Sequence, residues 1–379
     1  MDDYQIRRAE DADLPTVMAM IAHSRQLMRQ YGNQQQWTGG YPSEDTIRDD
    51  ITHGDCRLIC KGSTVIGSFA LVEGREPTYQ KIDGKWEEED RPYGTLHRLA
   101  SMPGQRGLFD ICLDWCRRQV TSIRIDTHAD NRPMLHMAET RGFKHCGVVY
   151  MEDGSPREAF QMLDTGCLCH PLQSHVERNI LPHYDNYDAA HRRDHVGHVI
   201  QTSLKLASHY PVEINMVYVI AAYHDLGMAE GREFHHITSA QMLLADSRLK
   251  RWFSPGQLAV MAQAIEDHRA SSSQEPRSIY GRIVAEADRD IRPFTIVRRT
   301  IQYGLTHYPT LSREEHYQRT LQHLQEKYGY GGYLRLLLPE SGNAIHLEEL
   351  RQLIADSVKL RATFETLFDE ETAKKMIKD

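Results

Sequence analysis

The sequence predicts two domains of different fold class, an N-terminal α/β domain followed by an all-α domain. Through about residue 163, β-rich segments alternate with segments whose apolar residues recur at helical spacing. Beyond that point, helical patterns follow one another with little interruption. Histidine is distributed just as unevenly, with 6 of 21 before residue 164 and 15 after it. This asymmetry indicates that the two parts carry different chemistry.

Strands are predicted where β-branched and aromatic residues cluster, and helices where apolar residues recur every three to four positions. Lys61-Gly62-Ser63 separates two β-rich runs and predicts a hairpin. The predicted strands are residues 4–8, 58–60, 65–72, 95–100, 123–127 and 146–151, and the predicted helices are residues 11–29, 108–119 and 133–141.

In the second domain, the apolar run from Asn215 to Tyr223 predicts a buried helix that ends before Gly227. Apolar residues at helical spacing from His346 to Phe368 predict one final amphipathic helix. We therefore expect an α/β domain at 1–163, a linker at 164–174, a helical domain at 175–345, and a C-terminal helix at 346–379 that packs on the helical domain.

Composition excludes several classes of protein. With 379 residues, 40% hydrophobic and 26% charged, the chain has enough apolar content for about two folded domains. The net charge of -8 argues against an extended nucleic-acid surface or binding to an anionic membrane. Seven cysteines without a CxxC pair, a charged N-terminus and the lack of an 18-residue apolar run predict a reduced, cytoplasmic protein.

Two segments of the first domain point to a phosphate-bearing ligand. Residues 96–109 predict a strand, a glycine-bearing turn and a helix, and the backbone N–H groups of such a turn bind phosphate oxygens. Residues 126–143 predict a strand followed by a helix that Asn131 caps and Gly142 ends.

Strand order and both segments resemble the GNAT superfamily of acyl-CoA N-acyltransferases over residues 1–163. The resemblance implies that Asn131 contacts the pantetheine arm of acetyl-CoA and that an amine, on a small molecule or a protein, accepts the acetyl group. It also implies that the coenzyme A pyrophosphate binds the backbone of one turn, formed by Gly104, Gln105, Arg106, Gly107, Leu108 and Phe109.

Two positions depart from the family pattern. Phe109 stands where the family usually has Gly or Ala, and its side chain is expected to crowd the pyrophosphate. Ala138 stands where a tyrosine commonly protonates the leaving thiolate, so another acid is needed, and the candidates are His97, Tyr93, Glu139 and Tyr150. Glu73 is a candidate base. The alternative is a degenerate acyltransferase fold that senses a ligand and regulates the second domain.

The second domain carries histidines and aspartates in an order that suits a metal site. Divalent metals in hydrolases bind neutral imidazoles and carboxylates that converge from several rigid elements, with positions left open for water and substrate. The residues concerned lie on predicted helices or at their ends, and they are His195, His224, Asp225, His235, His268 and Asp288.

This pattern resembles the HD superfamily of metal-dependent phosphohydrolases over about residues 174–310. The resemblance implies that His195, His224, Asp225 and Asp288 hold a divalent cation. The candidate cations are manganese, iron, cobalt, nickel, zinc and magnesium. His235 and His268 are placed like the histidines that bind a second metal in some members, and Asp225 is a candidate base if one ion binds.

These resemblances predict a bifunctional enzyme with a metal-dependent phosphohydrolase and an acetyl-CoA-dependent N-acetyltransferase in one chain. The expected substrate of the hydrolase is a small phosphorylated molecule such as a nucleotide. The open alternative is an HD hydrolase under the control of a GNAT-like domain that transfers nothing.

Overall fold

The computed structural model describes residues 4–163, 166–187, 193–269 and 275–378, and the chain divides into two compact units. The first unit comprises Met1–Asn179, Glu213–Asn215 and Asp246–Leu258, and the second comprises Ile180–Val212, Met216–Ala245 and Ala259–Asp379.

The first unit is built on a mixed eight-stranded sheet. Its strands are β1 (Tyr4–Arg8), β2 (Cys56–Lys61), β3 (Thr64–Glu73), β4 (Ile82–Gly84), β5 (Gly94–Ser101), β6 (Ile123–Thr127), β7 (Lys144–Tyr150) and β8 (Pro156–Met162). Their spatial order is β1-β2-β3-β5-β6-β8-β7-β4. Of the neighbouring pairs among these described strands, β5–β6 is parallel and the others are antiparallel. Four helices accompany the strands, namely α1 (Leu14–Gln30), α2 (Glu44–His53), α3 (Leu108–Cys116) and α4 (Arg132–Thr140).

Two apolar clusters flank this sheet. One joins α3 and α4 to the central strands through buried residues such as Phe69, Phe109 and Ala138. The other joins α1 and α2 to β2 through residues such as Met20 and Ile47. The helical and strand periodicities in the sequence therefore reflect real buried faces.

Within the first 163 residues, one α-helix and two strands were absent from the sequence prediction. The helix α2 buries only Ile47, Ile51 and Asp50, so its apolar pattern is short, although Ser43 caps it by accepting from the Thr46 N–H. The strand β4 has three residues, and β8 contains Arg157, Glu158 and Gln161, which weaken its β-rich signal.

After the sheet, the described chain is largely helical. Its helices are α5 (His170–Asn179), α6 (Arg193–Ala207), α7 (Ile214–Tyr223), α8 (His235–Ala245), α9 (Pro255–Asp267), α10 (Ile279–Asp288), α11 (Pro293–His307), α12 (Arg313–Tyr328), α13 (Asn343–Ala355) and α14 (Ser357–Lys378). The run from Met216 to Tyr223 in α7 is wholly buried, which agrees with the predicted interior helix ahead of Gly227.

The C-terminal region contains two helices, so the prediction of a single helix there was wrong. The chain leaves helical geometry at Asp356, whose side chain accepts from the N–H of Lys359 and so begins α14. Both helices contribute to one apolar cluster of the second unit, for instance through Leu350 and Phe364. Across the described residues, no helix is both long and apolar enough to cross a membrane.

Candidate functional site

All six side chains predicted as metal ligands lie close together in the second unit. They are His195 on α6, His224 and Asp225 directly after α7, His235 at the start of α8, His268 just after α9, and Asp288 at the end of α10. Since helix ends fix the direction in which the next side chain projects, five separate segments aim their polar groups at one point.

Asp225 lies at the centre of this cluster, and its two oxygens face different histidines. Oδ1 lies 3.3 Å from Nε2 of His235 and 3.4 Å from Nε2 of His268. Oδ2 lies 3.4 Å from Nε2 of His224 and 3.9 Å from Nε2 of His195. The carboxylate therefore separates two pairs of histidines, one on each oxygen.

Asp288 adds a second carboxylate on one side only. Its Oδ1 lies 3.0 Å from Nε2 of His195 and 3.7 Å from Nε2 of His224. One group of ligand atoms is therefore formed by His195, His224, Asp225 and Asp288, and the other by Asp225, His235 and His268. Each group mixes imidazole and carboxylate, as divalent transition metals and zinc prefer.

The backbone orients three of the histidines. Nδ1 of His224 lies 2.8 Å from the carbonyl of Ala221, and Nδ1 of His268 lies 2.6 Å from the carbonyl of Ile265. His235 makes the same contact with Arg232 at 2.8 Å. A carbonyl accepts only, so Nδ1 carries the proton in each ring and, in the neutral imidazole, Nε2 presents a lone pair to the cluster.

Nε2 of His224 is a buried atom without a hydrogen-bond partner, although it faces both carboxylates. An unsatisfied buried nitrogen of this kind is costly, and coordination of a cation satisfies it. The residues present therefore fit a divalent metal in number, donor type and orientation.

Burial and charge perturb these groups strongly. Burial by itself lowers the pKa of His224, but Asp225 and Asp288 oppose it and raise that pKa to about 9. Burial raises the pKa of Asp225, and the nearby His224 and His268 outweigh it and hold that pKa well below the ordinary value. Carboxylates that stay ionised in a buried setting suit cation binding.

In the first unit, β5 and β6 pair only at their beginnings. The parallel register joins Gly94 to Ile123 and Thr95 to Arg124, whereas β6 continues to pair with β8 along its whole length. An opening between two parallel strands leaves backbone N–H and C=O groups free to bind an amide-bearing ligand.

His97 and Asp126 lie two residues beyond the last paired positions, on opposite sides of this opening. Nδ1 of His97 is 3.8 Å from Oδ2 of Asp126, and Nε2 of His97 is 3.4 Å from Oε2 of Glu76. The Tyr79 hydroxyl donates to Asp126 Oδ2 at 2.7 Å. The structure thus surrounds His97, a predicted site residue, with two carboxylates.

Glu73 has a different environment from the one expected of a free base. It accepts two hydrogen bonds from the guanidinium of Arg251, each at 2.9 Å. Glu76, three residues further on, takes the place beside His97, and its pKa falls to about 2 because His97 donates to it. Sequence reasoning missed Glu76 and gave Asp126 no role, although Asp126 is the first residue of the segment already noted for its capping asparagine.

The predicted pyrophosphate turn, Gly104 to Phe109, leads into α3. Gly107 adopts a φ of 72° immediately before the helix, a conformation that glycine allows without strain. The Phe109 side chain is buried in the apolar cluster under α3, so the expectation that it crowds the turn was wrong.

Asn131 occupies the position predicted for it at the start of α4. Its side-chain oxygen accepts from the N–H of Met134, and its amide donates to Gln36 at 3.1 Å. Ala138 is fully buried on the inner face of the same helix. The side chain at position 138 therefore packs in the core, where it cannot donate a proton to a ligand.

Comparison with known proteins separates the two parts of the chain. Residues 192–292 match the family model described as the HD domain. The N-terminal 42% or so of the chain is similar to solved acetyltransferases of the GNAT family.

Two of these solved structures and one curated protein illustrate the range of similarity. A GNAT acetyltransferase from Streptococcus agalactiae is 29% identical, with 42% of this chain and 95% of that one covered and a TM-score of 0.39. A GNAT acetyltransferase from Bacillus cereus is 16% identical, with 43% of this chain and 98% of that one covered and a TM-score of 0.31. The phosphoribosylformylglycinamidine synthase subunit PurQ of Synechocystis sp. is 31% identical over 85 residues, which are 22% of this chain and 37% of that protein.

This chain therefore spans little more than a third of the curated relative it matches. The two fold classes predicted from sequence, a mixed sheet with helices and a helical HD domain, are confirmed.

Proposed function

We propose that the second unit is a metal-dependent phosphohydrolase that cleaves a phosphate ester or anhydride of a small molecule, a nucleotide being the first class to test. One observation carries this proposal, namely the Asp225 carboxylate with a different histidine set on each oxygen. A carboxylate placed in this way would supply one oxygen to each of two ions, and two-metal sites are a common arrangement in hydrolytic enzymes.

The ligand groups would divide between two positions. His195, His224 and Asp288 would hold one ion with Asp225 Oδ2, and His235 and His268 would hold a second with Oδ1. Bound there, a divalent cation supplies a lowered pKa for a coordinated water and neutralises charge on a phosphoryl group.

The protein residues themselves define the direction of approach. His224 is fully buried and His268 nearly so, which closes one side of the site. His195 and Asp288 keep 25% and 22% of their side-chain surface exposed. The phosphoryl group therefore enters beside His195 and Asp288, while the buried histidines exclude water from the opposite side.

Metal content is the sharpest test of this part. Protein purified without chelator is expected to carry transition metal or zinc, and to release phosphate from members of a nucleotide panel. His224→Ala/Asp225→Ala should lose both metal and activity, whereas His307→Ala, an exposed histidine of the same unit, should lose neither. Equal metal content in the double variant and in wild type contradicts the ligand set.

For the first unit we propose acetyl transfer from acetyl-CoA to an amine, a function that the opening between β5 and β6 supports. The pantetheine arm carries amide groups that suit the backbone groups of β5 and β6 that face the opening. The turn from Gly104 to Phe109 lies at the start of α3, where phosphate binds favourably. His97 lies beside the opening as an acid or base.

Calorimetric titration with acetyl-CoA distinguishes this function from the regulatory alternative. Binding together with acetylation of any amine supports transfer. Binding without transfer, accompanied by a change in phosphate release, supports a ligand-sensing domain.

A cytoplasmic location remains a prediction.

A further inference from the structure

The carboxylates beside His97 suggest which amine the first unit accepts. Glu76 and Asp126 approach the imidazole from different segments, with Oε2 of Glu76 3.4 Å from Nε2 and Oδ2 of Asp126 3.8 Å from Nδ1. Glu76 directly precedes the short helix Pro77–Tyr79, and Asp126 lies on β6. Two negative charges on one imidazole leave the cluster anionic whatever the charge of His97.

Two cationic side chains that lie close to these residues in the sequence, Arg98 and Arg124, are engaged elsewhere. Arg98 binds both oxygens of Asp50 at 2.6 Å. The Arg124 guanidinium lies between the rings of Trp86 and Tyr93, at 3.9 and 3.8 Å from their centroids. Neither pairs with Glu76 or Asp126 among the described contacts, so the negative charge of the cluster is not neutralised by these arginines.

The cluster is open enough to meet a ligand. The side chains of His97, Glu76 and Asp126 keep 16%, 21% and 9% of their surface exposed. They lie two residues past the last β5–β6 pair, at the opening where the proposed acetyl donor binds. A partly exposed anionic cluster attracts cations and repels anions, because its field is weakly screened at short range.

We infer that the acyl acceptor is an amine with a second positive charge, such as a diamine, and that Glu76 and Asp126 select it. This inference rests on the proposed acetyl transfer. The amine approaches as an ammonium ion and gives one proton to His97, which passes it to water. The amine nitrogen then forms a bond to the acetyl carbonyl carbon, the carbon–sulfur bond breaks, and the remaining excess N–H proton ends on the coenzyme A sulfur.

Tyr79 is a positioning residue in this arrangement. Its hydroxyl donates to Oδ2 of Asp126, the oxygen that faces His97, and so holds this carboxylate beside the imidazole. Thr78 similarly binds Oε1 of Glu76 through its N–H and hydroxyl, so that Oε2 faces His97. Both carboxylates are thus held by neutral hydrogen-bond donors, which leave the negative charge of the carboxylates unpaired by these contacts.

The test compares three acceptors of equal chain length, 1,4-diaminobutane, 1-aminobutane and 4-aminobutanoate, with the full-length protein and acetyl-CoA. We expect kcat/KM to fall in that order, by about tenfold at each change of charge. Glu76→Gln and Asp126→Asn should each reduce the preference for the diamine over 1-aminobutane by about tenfold, because the amides keep shape and lose charge.

Glu44→Gln is the matched control, since Glu44 is an exposed carboxylate of the same unit that pairs with Arg48. Acetyl-CoA affinity, measured by calorimetry, should be the same in all of these proteins, which shows that the variants are folded. Acetylation of the three amines at equal rates, or an unchanged preference in both variants, overturns the inference while transfer itself stands. Absence of acetyl-CoA binding in wild type defeats the proposed transfer, and the inference with it.

Discussion

Asp225→Asn provides the most direct test of the proposed metal centre. Asparagine has the same shape, but its amide nitrogen carries two protons and cannot coordinate a cation. In the wild type, Asp225 faces Nε2 of His235 and His268 on one oxygen and Nε2 of His224 on the other, all within 3.4 Å. The variant therefore removes the shared ligand from at least one histidine group.

The expected magnitude follows from the linkage between metal binding and unfolding. A ligand present at 100 times its dissociation constant stabilises the folded state by about 2.7 kcal/mol. For a unit of this size, that free energy corresponds to a rise in Tm of roughly 5–10 °C. In Asp225→Asn we expect the metal-induced rise to shrink to about 2 °C or less, together with at least a hundredfold loss of phosphate release.

The assay is thermal unfolding followed by circular dichroism, with each protein measured in chelator and in manganese, plus metal analysis by mass spectrometry. Using the difference between the two conditions removes any effect of the substitution on the metal-free protein. Asp369→Asn, an exposed aspartate of α14, is the control and should retain the full rise. If Asp225→Asn keeps the stoichiometry and the Tm shift of wild type, the bridging role of Asp225 is refuted.

Four further outcomes can be measured. Gly107→Ala should cost about 1 kcal/mol, because alanine resists a φ of 72°, and should weaken acetyl-CoA binding in calorimetry. Phe109→Ala should destabilise the first unit by about 3–5 kcal/mol in urea unfolding, since that ring is buried; a loss below 1 kcal/mol would show that it is not packed. Asp356→Ala should cost about 1 kcal/mol by removing the cap of α14, which a matched Asp369→Ala change should not do. Burial raises the pKa of the Glu371 carboxyl, but hydrogen bonds from Lys374, Gln302 and Arg298 lower that pKa from 4.5 to about 2. The ionised carboxylate therefore stabilises the folded state above pH 4.5, and this stabilisation is lost as the pH falls through about 2. Wild type should accordingly exceed Glu371→Gln in unfolding free energy at pH 7, and the difference should disappear near pH 2.

Much of the histidine–aspartate cluster could be predicted because its residues are carried by local patterns. His224 and Asp225 follow directly from the end of a buried helix, and Gly227 marks the stop. The order His195, His224-Asp225, His235, His268 and Asp288 can be read without knowing how the helices pack. Which oxygen of Asp225 faces which histidine depends on the directions of five chain segments, and no spacing in the sequence contains that information.

The surroundings of His97 were less predictable, because the groups there come from segments without a strong local pattern. Glu76 lies in the segment before a three-residue helix, and its role follows from the approach of His97 on β5. Glu73 was the candidate base by its position in the sequence, and only tertiary packing pairs it with Arg251. Phe109 was expected at the ligand, whereas the rotation of α3 turns it into the core.

The sequence by itself determined the two fold classes, most of the helices and strands of the first unit, and which histidines and aspartates are candidate metal ligands. These properties depend on periodicity and residue chemistry within short windows, where burial of one face dominates the free energy. Tertiary structure alone decided the sheet order, the split between α13 and α14, the division of histidines around Asp225 and the carboxylates beside His97. Those features depend on contacts between residues far apart in the chain, whose geometry is fixed only when the apolar clusters pack.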